Sequence, residues 1–266
     1  MGAVGIPFLA FMALKGGYFT LTLVSLIVLI GLWEFYRLTE AKGIRPYKLL
    51  GIGGGLFLSW QTYFKFTGGG ELALTLILLA IMLAELFRRE QRHSMFHMAA
   101  TLFGVFYVGW LSSHFILLRE LPEMVGKSYA DGGWYLLTVF IIAWVCDTGA
   151  YGIGQAWGRH RLLARASPKK SLEGAIGGVV SALLTGLLLG GVFLKDLFAL
   201  RHFLVIALIV GIVGQIGDLV ESLLKRDAQV KDTSRLLPGH GGVLDRFDGL
   251  LFAVPVTYWY LKYLVF

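Results

Sequence analysis

The chain has 266 residues, of which 56% are hydrophobic and 15% charged, with a mean hydropathy of +0.71. A soluble globular domain carries roughly a quarter charged residues, so this balance excludes an ordinary water-soluble fold and points to a polytopic membrane protein. The net charge of +7 is read first as a topology signal and second as a hint of anionic partners, with no nucleic acid expected, and the single cysteine, Cys146, excludes an intrachain disulfide framework.

Nine apolar runs follow in chain order: Gly2 to Leu14, Tyr18 to Trp33, Leu49 to Phe64, Leu72 to Phe87, Met95 to Leu118, Trp134 to Gln155, Ala175 to Leu194, Phe203 to Leu224 and Gly249 to Phe266. Crossing a hydrocarbon core of roughly 30 Å takes about 20 residues. The runs therefore predict an all-α polytopic integral membrane protein of about nine transmembrane helices. The first run is short unless Lys15 snorkels and Gly16-Gly17 extend it. With no basic n-region ahead of it, a span is favoured over a signal peptide.

Orientation follows from the basic residues between the runs. They concentrate after the even-numbered ones: Arg37, Lys42, Arg45 and Lys48, then Arg88, Arg89 and Arg92, then Arg159, Arg161, Arg165, Lys169 and Lys170, then Lys225, Arg226, Lys231, Arg235 and Arg246. These connections are expected in the cytosol, with both termini on the opposite side of a cytoplasmic (inner) membrane. No repeat, low-complexity tract or long linker divides the chain, so residues 1–266 are expected to form one membrane-embedded domain. Residues 1–130 would be its scaffold and hold any dimer interface, and residues 131–266 would carry the chemistry.

Glycine clusters such as Gly51-x-Gly53-Gly54-Gly55 and Gly174-x-x-Gly177-Gly178 suit close helix packing better than phosphate binding. A nucleotide-binding glycine loop needs a strand before it, and the pattern shows no strand.

One stretch breaks the apolar pattern. Ser222 to Asp248 holds Lys225, Arg226, Lys231, Arg235 and Arg246 against Asp227, Asp232, Asp245 and Asp248, with Pro238-Gly-His240-Gly-Gly242 between the groups. Charges this dense must sit in water and need partners or an ionic ligand. Asp147, Asp218 and Glu221 lie inside apolar runs instead, where an ionised carboxylate costs on the order of 3 kcal/mol. Asp218, Glu221, Ser222 and Lys225 fall at i, i+3, i+4 and i+7 and share one helical face, and Asp245 and Asp248 share another. Five carboxylates without a Cys or His cluster match the oxygen chemistry of a hard divalent cation, Mg2+ or Mn2+. A network of salt bridges to Lys225, Arg226, Lys231 and Arg246 matches them as well. Glu221 is the weakest ligand candidate, because Lys225 at i+4 can pair with it.

A second polar segment, Gly158 to Glu173, contains Ser167-Pro168-Lys169-Lys170-Ser171. Two lysines ahead of a helix that begins between Ser171 and Ala175 suit phosphate binding, while Arg159, Arg161 and Arg165 need only the positive-inside rule. Ser171 followed by Glu173 is not a full capping box. His240, between glycines, is a general acid or base, a phosphate ligand or a turn residue. His97 and His114 are expected to be hydrogen-bonded inside the bundle, and Trp33-Glu34-Phe35-Tyr36 fits an interfacial anchor without chemistry.

The segment Ser222-x-Leu224-Lys225-Arg226-x4-Lys231-Asp232-x-Ser234-x2-Leu237-Pro238-x-His240-Gly241-Gly242-Val243-x-Asp245-Arg246-Phe247-Asp248 resembles the signature of the phosphatidate cytidylyltransferases, or CDP-diacylglycerol synthases. Asp147-Thr-Gly-Ala-Tyr151 and Ser167-Pro-Lys-Lys-Ser-x-Glu173-Gly174 are similar to further segments of that family. The matches span residues 147 to 248, and the first half offers only a compatible hydropathy pattern. Members usually carry a basic residue or two before the first span, where this chain begins Met1-Gly2. That departure bears on the start of the chain and not on its chemistry.

The resemblance implies a homodimeric, all-helical membrane enzyme that joins CTP and phosphatidic acid into CDP-diacylglycerol and pyrophosphate, using Mg2+ with room for a second cation. It casts Asp218, Asp245 and Asp248 as metal ligands with Asp147 in support. Lys225, Arg226, Lys231, Asp232, His240 and Arg246 join them in the catalytic set, and Ser167, Lys169, Lys170, Ser171, Ser222, Gly241 and Gly242 are assigned to substrate binding. A phosphate monoester, with a second pKa of about 6, is already largely ionised at neutral pH and needs no general base. His240 is then better cast as a phosphate or orienting group.

Two other classes compete. A cation- or proton-coupled transporter explains Asp147 and Asp218 but not Lys-Arg-x4-Lys-Asp and Pro-Gly-His-Gly-Gly in one cytosolic stretch. A CTP-dependent polyprenol-type lipid kinase acts on a hydroxyl and makes a general base necessary.

Overall fold

The computed structural model describes residues 2–66, 69–89, 92–234, 236 and 241–266. Each apolar run forms a helix in it: α1 (Gly2–Lys15), α2 (Tyr18–Ala41), α3 (Lys48–Phe64), α4 (Gly69–Leu86), α5 (Ser94–Met124), α6 (Asp131–Trp157), α7 (Leu172–Phe193), α8 (Leu200–Asp227) and α9 (Leu244–Leu264). Among the described residues six of these, α2 and α4 to α8, are long and apolar enough to cross a membrane. The chain is an all-α integral membrane protein. α2 outruns its apolar stretch because nothing between Glu34 and Ala41 breaks a helix, and it ends where Gly43 takes a positive φ of 77°.

One element departs from the sequence pattern. β1 (Arg161–Leu163) pairs antiparallel with β2 (Ser167–Ser171), with an irregular register between the pairs Arg161–Ser171 and Leu163–Ser167. Strands this short, lying in a charged segment, have no apolar alternation by which to announce themselves.

Lipid tails are as apolar as leucine, so helices associate in a membrane through close packing of small residues. Gly55 of α3 and Gly109 of α5 meet backbone to backbone: a Cβ on Gly109 would stand 2.7 Å from the Gly55 Cα. Gly177 and Gly178 of α7 make room for the side chains of Ile153 and Ala150 of α6. The glycine clusters serve packing. Val28 and Leu32 of α2, Phe115 of α5, Phe140 of α6 and Leu251 and Val254 of α9 form the fully buried centre, whereas α4 leaves Leu76, Leu79 and Leu83 on the outside.

Polar contacts divide the bundle into two ends. At one, Lys65 after α3 pairs with Glu123 of α5 at 2.7 Å, Arg119 of α5 donates to Ala13 O of α1 at 2.7 Å, and Gly17 N donates to the Tyr129 hydroxyl at 2.7 Å. At the other, Lys42 after α2 pairs with Asp227 of α8, and Arg88 after α4 donates to Arg45 O at 2.9 Å. Odd-numbered connections gather at one end and even-numbered ones at the other. His97 and His114 are buried inside the bundle, facing Glu85 at 3.4 Å and Trp110 O at 3.0 Å, as expected.

Three helices contain a π-helical stretch, at Val105–Trp110, Leu189–Phe193 and Val210–Gly214. Such stretches often lie at functional places. The third ends directly before Gln215, where α8 changes from an apolar to a strongly amphipathic helix.

Candidate active site

The polar half of α8 carries Asp218, Glu221, Ser222 and Lys225 on one face, as their spacing requires. Ser222 Oγ lies 3.4 Å from Asp218 Oδ1, and Lys225 Nζ lies 2.5 Å from Glu221 Oε2. The Lys225 ammonium also reaches Asp245 Oδ1 in the first turn of α9 at 2.6 Å. Lys225 is thus held between two carboxylates.

Asp245 is almost fully enclosed. Besides Lys225, it accepts hydrogen bonds from Thr233 N at 2.9 Å, Thr233 Oγ1 at 2.8 Å and Gly242 N at 2.7 Å. Four donor contacts from the protein meet its oxygens, where Asp218 has two, from Lys170 and Ser222. Gly241 adopts φ 79°, a region open to glycine, with Asp245 Oδ2 close to where a Cβ would stand. Gly241 and Gly242 thus shape this turn through their backbones, whereas the sequence pattern assigned them to substrate.

Asp248 lies one turn further along α9, beside Glu221, and accepts from Gly249 N at 2.6 Å. Among the described residues the hydroxyl of Tyr107, which faces these carboxylates from the π-helical stretch of α5, is buried without a hydrogen-bond partner, and Glu221 lies against the Asp248 carboxyl. A small cavity of about 40 Å³ opens among Asp147, Asp218, Arg246 and Asp248, room for a water or a small ion. It adjoins a cleft of about 630 Å³ lined by Asp147, Tyr151, Arg161, Ser167, Lys169, Lys170, Ser171 and Asp218. Asp147 and Asp218 line both.

Local folding presents the cleft's cations. Ser171 is the N-cap of α7, its Oγ accepting from Gly174 N at 3.1 Å. Glu173 turns back instead, accepting from Arg159 N at 3.1 Å and facing His160 Nδ1 at 2.6 Å, and so fastens the loop after α6 to the first turn of α7. The β-hairpin between them carries Lys169 and Lys170 into the cleft, and Lys170 forms an ion pair with Asp218. Arg226, with Nη1 3.4 Å from Val230 O, is exposed, as are Lys231, Asp232 and Arg246. His240 lies outside the described residues.

Sequence reasoning passed over Glu34. It is not an interfacial anchor but completely buried, and it accepts hydrogen bonds from Ser234 Oγ, Val243 N and Leu244 N, with the Thr233 hydroxyl 3.2 Å away. The signal was present: a carboxylate inside an apolar helix, the same cost that singled out Asp147 and Asp218.

The carboxylate oxygens of Asp147, Asp218 and Asp248 around the small cavity are the donor type that suits a hard divalent cation. Among the described residues no three acidic or imidazole groups are gathered as a ready ligand cluster.

A polar cleft of lysines and carboxylates at one end of an apolar helical bundle defines a membrane enzyme of phosphate chemistry. The chain belongs to the Cytidylyltransferase family, which it matches over residues 1–264. It is 31% identical to the phosphatidate cytidylyltransferase of Synechocystis sp. over 282 residues, covering 98% of this chain and 94% of the relative. Phosphatidate cytidylyltransferases of Staphylococcus saprophyticus and Bacillus subtilis are 33% and 31% identical, covering 91% and 89% of this chain and 90% and 87% of their own lengths.

Proposed function

We propose that the chain transfers CMP from CTP to phosphatidic acid. A phosphatidate oxygen forms a bond to the α-phosphorus of CTP, the bond from that phosphorus to its bridging oxygen breaks, and pyrophosphate leaves with the electron pair. The observation that carries this reading is the cleft itself. Lys169, Lys170 and Arg161 line its walls, Asp147 and Asp218 its floor, and it adjoins the small cavity bordered by Asp248.

Two polyanions must be brought together against their repulsion. Lys169 and Lys170 offset phosphate charge, and fixed charges in a site shielded from water act more strongly than in solution. Lys170, paired with Asp218, is held at the boundary between cleft and small cavity. The nucleophile arrives ionised, so no side chain need take a proton from it. Asp147, Asp218 and Asp248 are the residues that would hold Mg2+, which would neutralise triphosphate charge and favour the leaving pyrophosphate. Asp245 acts by fixing the turn before α9, and Arg226, Lys231 and Arg246 supply positive potential at the rim.

The face with the even-numbered connections is the cytosolic one in this reading, and α1, α3 and α9 also cross the membrane. The basic residues on those connections support that orientation. Nine crossings then put the N-terminus in the cytosol and the C-terminus outside, so the expectation that both termini lie outside does not hold. Two copies would associate through the helices of residues 1–130.

The test is incubation of the purified protein with phosphatidic acid and α-labelled CTP, with and without Mg2+. Label entering the lipid only with metal is the expected result. Label entering from γ-labelled CTP instead would make the protein a lipid kinase.

A further inference from the structure

Glu34 lies in α2, remote in sequence from every polar motif, and is 0% exposed. Among the described residues no Lys, Arg or His forms an ion pair with it. Its charge is met by donors alone: Ser234 Oγ at 2.6 Å and Val243 N at 3.0 Å on Oε1, and Leu244 N at 2.8 Å on Oε2. The Thr233 hydroxyl lies 3.2 Å from Oε2 but has one proton, and Asp245 Oδ2 at 2.8 Å is its nearer acceptor.

The donors explain why an acid stands here. Val243 already has helical dihedrals, φ −68° and ψ −41°, which makes Gly242 the effective cap position of α9. Glycine has no side chain to cap with. Asp245 provides one half of a capping box, accepting from Gly242 N at 2.7 Å. The other half, an acceptor for the first free N–H groups of the helix, comes from Glu34 on α2, and the positive end of the helix dipole favours its negative charge. A side chain at position 242 could not replace it while Glu34 is present, because a Cβ there would run into both carboxylate oxygens and the Thr233 hydroxyl. Glu34 and the missing side chain of Gly242 are two parts of one device.

We propose that Glu34 is a positioning residue for CMP transfer: it caps α9 from another helix and thereby sets where Asp245 and Asp248 stand. The N-terminal helices, expected as scaffold, then contribute a residue to the working geometry of the site. This rests on the transfer reaction above, and the experiment separates the two.

Wild type, Glu34→Gln, Glu34→Ala and Gly242→Ser are purified as full chains in detergent and assayed per mole of folded protein. Glu34→Gln keeps the shape but turns one oxygen into a donor facing donors. It is expected to lower kcat at least about tenfold while KM for CTP moves less than about threefold. Glu34→Ala falls further, and Gly242→Ser is also impaired, because its Cβ would meet both Glu34 and the Thr233 hydroxyl.

A Glu34→Gln enzyme within about twofold of wild type in kcat, or one whose KM for CTP rises as much as its kcat falls, overturns the proposal. Wild type without CTP turnover counts against the reaction instead. The cap is then read from thermal midpoints, which must fall in Glu34→Ala; unchanged midpoints overturn it.

Discussion

Lys225 Nζ, near the end of α8, stands 2.6 Å from Asp245 Oδ1 in the first turn of α9, and this contact joins the two helices that carry most of the site's carboxylates. The same ammonium lies 2.5 Å from Glu221 on its own helix. Both acids are buried, and Lys225 is the only basic residue among the described ones paired with either. Its charge maintains the geometry of the site from within.

Breaking that triad should cost stability. Removing one partner of a buried ion pair leaves an uncompensated charge, typically about 3–5 kcal/mol. Lys225→Met is therefore expected to lower the thermal midpoint in detergent by several degrees and to reduce activity with it. Lys225→Met/Asp245→Asn, which removes a charge of each sign, should be less destabilised than the sum of the single changes. Additive losses in this cycle would show that the two groups do not interact.

The carboxylates bordering the small cavity should affect chemistry more than folding. Asp218→Asn and Asp248→Asn are each expected to lower incorporation of α-labelled CTP by about 100-fold or more, with the elution profile of the folded protein unchanged. Asp147→Asn should be milder. Near-normal turnover in both of the first two variants would remove these residues from the catalytic set.

Lys170→Gln should weaken substrate handling. It takes a cation from the wall of the cleft and leaves Asp218 without its ion pair, so KM for at least one anionic substrate is expected to rise about tenfold. Raising ionic strength should hurt the variant less than wild type, because screening weakens a contact the variant no longer has. Identical salt profiles would argue against a direct phosphate contact.

Ser171→Ala removes the N-cap of α7 and is expected to cost about 1 kcal/mol, read as a lower thermal midpoint. Because β2 ends at this residue, the change should also loosen the hairpin that carries Lys169 and Lys170. Greater tryptic cleavage after Lys170 than in wild type would report it, and an unaltered digestion pattern would leave the cap a purely helical feature.

Reporter fusions test the topology. Fusions within the connections after α2, α4 and α6 and at the N-terminus should report the cytosol, and a fusion at the C-terminus the opposite side. A C-terminus found in the cytosol would overturn the nine-span arrangement.

Much of the molecule was legible in its residues. Apolar runs long enough to cross a bilayer have few ways to satisfy their backbone there, so hydropathy alone announced the helices. The i, i+3, i+4 and i+7 spacing announced the polar face of α8, and the pairing of Glu221 with Lys225 followed from one turn of helix. The β-hairpin stayed hidden because its strands have no apolar alternation. Glu34 stayed hidden because its donors lie about 200 positions away along the chain.

By itself, then, the sequence determined that this is a helical membrane protein, where its helices run, which residue types make its polar cluster and which family it resembles. These are properties of local composition and spacing. Only the tertiary structure decided how the charges are divided: Lys225 and Asp245 engaged with each other, Lys170 set against Asp218, Asp147 and Asp248 left bordering the small cavity, and Glu34 brought from α2 to cap α9. A carboxylate has the same sequence identity whether it faces a cleft, an ammonium group or a helix N-terminus, and its role is set by which of these partners the fold delivers within hydrogen-bonding distance.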